Sequence, residues 1–220
     1  MKSWYSDSRF FQALGMTVDL VVLNLAMVVA GLPVVTGGAA LVAGLLVCLR
    51  MVGGENVRPI RGFLAAFGRA FLPATLAWLA GLGLTGLLVW EWMIASQVVS
   101  TTLAVVARGV VLLAGLLLGL VAVWFWPLLA RRVLQDEPIG LGELVALLQT
   151  ALLAGLQHLP RSLAALLIVL VPPVFGLVSA EIGARLLLWF LVIGCGLAAY
   201  LVVLVLRVPL GIRAVPSEHE

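Results

Sequence analysis

Charge is scarce in this chain. Asp, Glu, Lys and Arg together make up 10% of its 220 residues, while hydrophobic residues make up 64%. A soluble domain carries about 25% charged and 45–50% apolar residues, so a chain this apolar cannot cover itself with polar groups in water. It takes lipid as part of its solvent. The 13 basic residues are scattered and the net charge is only +3, which excludes the clustered basic face of a nucleic-acid binder. Cysteine and histidine are nearly absent, with Cys48, Cys195, His158 and His219 as the full set. Both histidines lie far along the chain from either cysteine, no metal-ligand spacing appears, and no cofactor is implied. The cysteines read as buried free thiols, small hydrophobes in apolar surroundings. There is no nucleophile–base arrangement, no paired catalytic carboxylates and no phosphate-cradling glycine loop, so no enzymatic activity is expected.

What is present is long apolar runs. A helix needs about 20 apolar residues to cross the hydrocarbon core, and the chain has room for six such segments as one integral membrane domain over residues 1–220. The expected fold class is all-α and polytopic. The spans are expected over Val18–Val35, Ala39–Val52, Leu72–Met93, Leu103–Leu129, Ser162–Val178 and Leu186–Leu206. Small residues at Thr36–Ala40 also fit a signal-peptide cleavage site, but the charges downstream fit an uncleaved first helix better. Trp4, Tyr5, Phe10 and Phe11 before the first span, and Trp124 and Trp126 near the end of the fourth, suit headgroup-level belts.

Two further segments have amphipathic character and are expected on the cytoplasmic side. In the first, Ile60, Phe63, Leu64, Phe67 and Phe71 share one face and Arg58, Arg61 and Arg69 the other, the pattern of a helix lying in the interface. Pro73 is expected to bend the chain into the third span. The second, Leu141–His158, carries Glu143, Thr150 and Gln157 in one stripe. One span, an amphipathic segment and the next span thus occur twice, a weak parallel repeat over Arg58–Ala80 and Pro138–Leu167.

Orientation follows from the basic residues. With the N-terminus inside, Lys2, Arg9, Arg50, Arg58, Arg61, Arg69, Arg131, Arg132, Arg161, Arg207 and Arg213 are cytoplasmic, and Arg108 and Arg185 are outside. Such loop asymmetry sets topology, which places both termini in the cytoplasm.

Polar groups inside lipid are functional suspects by default. Asn24, in the middle of the first span, reads as a ligand contact or as an interhelical hydrogen bond. Arg108 reads as a snorkelling arginine or as the partner of Glu91 in a buried pair lining a cavity. Asp19 is placed to approach Arg50, and Glu181 and Arg185 to pair locally as i,i+4 neighbours. Pro33, Thr36, Gly37 and Gly38 form either a tight outer turn or a helix break that shows backbone dipoles to a substrate. Gly115 and Gly119 read as a close helix-packing site. Arg58, Arg61 and Arg69 form a face that anchors to anionic lipid or docks a partner.

Leu23-Asn24-Leu25, followed by Leu32-Pro33-Val34-Val35-Thr36-Gly37-Gly38-Ala39-Ala40, resembles the YesL family of small bacterial integral membrane proteins, which share a domain of unknown function. Pro59–Phe71, Pro127–Arg131 and Leu156–Arg161 also resemble family positions. The chain departs from the family pattern at Ala26-Met27, where a tryptophan is common, and at Gly37-Gly38-Ala39, where Gly-Pro-Ala is common. The resemblance implies a multi-pass protein of the bacterial cell membrane that accompanies carbohydrate uptake, with a membrane sugar permease as the expected partner, and it carries no catalytic residue. Two functions follow as expectations. One is an accessory or scaffold component of carbohydrate uptake; the other is an independent transporter or channel for a small neutral solute.

Overall fold

Long apolar runs must satisfy their backbone polar groups within the segment, which gives helices throughout, and among the described residues there is no strand. The computed structural model describes residues 9–55, 57–95, 97, 101–137, 139–176 and 179–212. Expectations placed on Lys2, Trp4, Tyr5, Arg213 and His219 lie outside the described residues, as do Pro138, Val178 and the side chains of Phe10 and Phe11.

Helix α1 covers Arg9–Gly31, and a 3₁₀ turn at Val34–Thr36 leads into α2, Gly37–Val52. Next come α3, Pro59–Ala95, and α4, Thr101–Leu134. Helices α5, Leu141–Gln157, and α6, Leu159–Gly176, are separated by a single turn residue, His158. The last span consists of α7, Ala180–Trp189, a π-helical turn at Phe190–Gly194, and α8, Cys195–Leu206. Six helices or helix runs are long and apolar enough to cross a membrane, as a multi-pass protein requires. Large apolar residues such as Leu84, Leu87 and Val89 on α3 and Val110, Leu112 and Leu113 on α4 stay exposed, a surface suited to hydrocarbon.

The core is built around α2. Of residues 38–49 only Leu41 is not fully buried, and α1, α3, α4 and α8 all pack against this one helix. Its small residues permit that crowding, because close approach in membrane helices depends on missing side-chain volume. A Cβ on Gly38 would stand 2.5 Å from the Ala74 carbonyl oxygen.

Several expectations are corrected. The first span ends at Gly31, short of Val35, because the chain turns at Pro33. Helix α3 runs unbroken through Pro73, so Arg58–Phe71 is not a separate interfacial helix; the missing proline N–H is tolerated in a membrane helix. Its apolar stripe divides. Phe63, Ala66, Ala70 and Ala74 turn inward, while Ile60, Leu64 and Phe71 are exposed. Helix α5 packs lengthwise on α4 through Leu144, Leu147, Ala151 and Gly155. That contact removes Trp124 from any headgroup belt: it is 2% exposed and stacks on His158. Of the glycine pair in α4, only Gly119 meets a neighbour, Leu166, while Gly115 faces open space.

Candidate functional site

The turn after α1 is a joint whose polar groups are occupied. The Thr36 hydroxyl lies 2.6 Å from the Ala30 carbonyl oxygen and 2.8 Å from that of Pro33, covering the carbonyls that a helix end leaves open. Thr36 N–H donates to Pro33 O at 2.9 Å. The Trp78 indole N–H donates to Val34 O at 2.8 Å, and Gly37 and Gly38 lie flat against the same tryptophan. Pro33, Thr36, Gly37 and Gly38 therefore join α1, α2 and α3 mechanically, with the Ala30, Pro33 and Val34 carbonyls all engaged.

Asn24 is completely buried and reaches across to the last span. Its amide nitrogen donates to Phe190 O at 3.1 Å and Leu191 O at 2.8 Å, and its oxygen accepts from Gly196 N–H at 2.8 Å. A π turn inserts one residue into the α ladder and takes backbone groups out of the i→i−4 pattern. Asn24 supplies the partners those groups lack, in an interior where an unpaired polar group costs several kcal/mol by order of magnitude. Gly196 allows the approach, since a Cβ there would stand 3.0 Å from Leu20 O. This is the interhelical hydrogen bond, in a three-way form that sequence reasoning did not foresee. The segment Phe190–Gly194 has no local signature beyond Gly194 and Gly196.

Beside this latch lies an apolar cleft of about 720 Å³. Met27 and Gly31 of α1, Leu41 and Leu45 of α2, Trp78 of α3 and Trp126 of α4 form part of its wall, with Leu170 of α6, Phe190 of the π turn and Cys195 and Ala198 of α8. Among the described residues, no charged one lines it. Trp78 and Trp126 meet with ring centroids 5.8 Å apart.

The three candidate polar residues are not brought together. Asn24 holds the π turn, whereas Glu91 is exposed and makes no ion pair with Arg108 among the described residues. The Arg108 guanidinium carbon instead sits 5.6 Å from the centroid of the Trp92 ring, within cation–π range. Asp19 does not pair with Arg50, whose Nε lies 3.8 Å from Glu55. Glu181 and Arg185 do pair, at 2.5 Å. Cys48 and Cys195 are both free thiols.

At the inner end, Arg69 pairs with Asp136 in the turn after α4, and Arg132 with Glu137 at 3.3 Å. Arg131 donates to Leu210 O at 2.6 Å, tying the turn after α8 to α4. Arg58 and Arg61 are exposed and have no acidic partner among the described residues. Of the residues expected to form one face, Arg58, Arg61 and Arg69 are all exposed, and Arg69 is the one held by an acid. Sequence reasoning also missed Ser162, fully buried, whose hydroxyl accepts from Trp124 Nε1 at 2.7 Å and lies 3.0 Å from Gly155 O and His158 O. Its position one turn after His158, at the corner between α5 and α6, was the available signal.

Residues 20–92 match the model of a family described as protein of unknown function, DUF624. The chain is similar to that family over about one third of its length. The matched stretch holds Asn24, the Pro33–Gly38 joint, all of α2 and most of α3, so it coincides with the centre of the core. No curated protein and no solved structure matches the chain.

Proposed function

We propose that this chain is a non-enzymatic accessory or scaffold protein of the bacterial cell membrane, with both ends cytoplasmic, working beside a carbohydrate-uptake permease. The observation that carries the scaffold reading is the chemistry of the interior. Transport pathways are marked by unpaired or ionisable polar groups inside the bilayer. Here Asn24 has its hydrogen bonds filled by the π turn, the central helix α2 is enclosed by apolar side chains, and the large cleft has no charged lining residue among the described ones. Thr75 Oγ1 on α3 and Arg108 Nε on α4 are buried without a hydrogen-bond partner among the described residues, but they lie on different helices and neither lines the cleft. The link to carbohydrate uptake rests on the family resemblance at Leu23–Ala40, and the orientation on the excess of basic residues assigned to the inner side.

The test is affinity recovery of the tagged protein from its native membrane in mild detergent, with mass spectrometry of what accompanies it. Stoichiometric recovery of a sugar permease or its binding protein is the expected result. Recovery of the protein alone, together with sugar flux into vesicles containing only this chain, would overturn the proposal in favour of independent transport.

A further inference from the structure

We propose that the apolar cleft between α1, α4, α6 and α8 is a binding site for one acyl chain of a bilayer phospholipid, which enters sideways from the membrane. The cleft, about 720 Å³, has the size of an ordinary small-molecule site, roughly 300–1,000 Å³. Left empty, a space of this size deprives its lining of dispersion contacts. Water does not suit it, because an ordered water needs about 2–4 polar partners. The Trp78 N–H is already held by Val34 O, which leaves Trp126 as the one lining indole whose N–H has no acceptor among the described residues. A sugar needs several such partners; a hydrocarbon chain needs none.

Continuity with the lipid-facing surface decides the source. Leu32, Val169 and Leu170 line the cleft and are also exposed. They run on into the exposed Val29 of α1 and Val171 and Val174 of α6. The opening therefore faces the hydrocarbon that surrounds the spans. Small lining residues, Gly31, Ala122 and Ala198, keep the space free of side chains. Asn24 holds the π turn that sets the position of Phe190 and Cys195 in the wall.

The experiment places the purified full chain in vesicles of phosphatidylethanolamine and phosphatidylglycerol doped with a phospholipid carrying a diazirine in its acyl chain. After illumination, adducts are mapped by peptide mass spectrometry. Adducts are expected on Ala122, Ala198 and Val202 in the cleft wall as well as on the outward Leu112 and Leu113. Ala198→Phe, or Ala122→Phe should the first variant fail to fold, is expected to abolish wall adducts and leave those on Leu112 and Leu113 unchanged. Labelling of the wild-type wall no greater than that of the enclosed Leu46 overturns the proposal. So do wall adducts that form in pure lipid vesicles and disappear in native membranes, which would assign the cleft to a partner's helix.

Discussion

Asn24 donates to the carbonyl oxygen of Leu191 at 2.8 Å, a bond that joins the first span to the last across the whole length of the chain. The same side chain holds Phe190 O and Gly196 N–H, so a single amide stabilises the π register of the final span. Replacing it with leucine keeps the branched heavy-atom shape, adds some methyl bulk and removes all three bonds. Asn24→Leu should lower stability by about 1–3 kcal/mol, the cost of unsatisfied buried groups, unless the span recovers an α register by shifting one residue. Thermal unfolding in mild detergent reads the first effect. An unchanged melting temperature in Asn24→Leu would show that the latch is dispensable.

The architecture was legible where it depended on apolar run length and turn chemistry. Six spans and the break at Pro33–Gly38 follow directly from those two signals. The role of Asn24 was half legible: an amide in mid-membrane needs a partner, but nothing around Phe190 marks a π turn in advance. The cleft was invisible, because its walls are leucine, valine, alanine and glycine from distant segments that look the same as lipid-facing residues. The polar stripe of α5 was legible, since Thr150 and Gln157 stay exposed while Leu144, Leu147 and Ala151 meet α4. Pro73 misled, because packing lengthwise on α2 carries α3 through it as one helix and outweighs the local signal for a separate segment.

The glycines divide into two kinds, and substitution separates them. At Gly38 an added Cβ meets backbone, 2.5 Å from Ala74 O, whereas at Gly44 it meets the flexible thioether of Met27. At Gly81 and Gly86 it meets nothing within 4 Å. Gly38→Ala should therefore cost about 1–3 kcal/mol, the range for overpacking a filled core, and Gly44→Ala less. Gly81→Ala and Gly86→Ala should be neutral or stabilising by up to about 1 kcal/mol through helix propensity. Equal melting temperatures for the Gly38 and Gly81 variants would contradict this division.

Trp124 and Ser162 form a closed pair inside the α4–α5–α6 contact. Ser162→Ala leaves the indole N–H buried without an acceptor, which should cost about 1–3 kcal/mol. Trp124→Phe removes the donor as well, so the double variant should lose less than the sum of the two single variants. Additive losses in a thermal-melt cycle would mean that the hydrogen bond contributes little.

Arg69 differs from Arg58 and Arg61 in having an acid to face, and this separates fold from docking. Its partner Asp136 is exposed and adopts a positive φ of 54°, a conformation that asparagine also tolerates. Asp136→Asn keeps the turn and removes the charge, so its cost should stay below about 1 kcal/mol, as for exposed ion pairs. Among the described residues Arg58 and Arg61 have no such acidic partner, so reversing them is expected to change what the surface meets. In the affinity experiment, Arg58→Glu combined with Arg61→Glu should reduce recovery of the partner at an unchanged level of this protein, while Asp136→Asn leaves recovery intact. If the arginines act on lipid instead, the reversal should alter behaviour only in membranes rich in anionic lipid, by about 1 kcal/mol per basic residue. Undiminished partner recovery from the doubly reversed variant would remove these arginines from the docking face and leave anionic headgroups as their target.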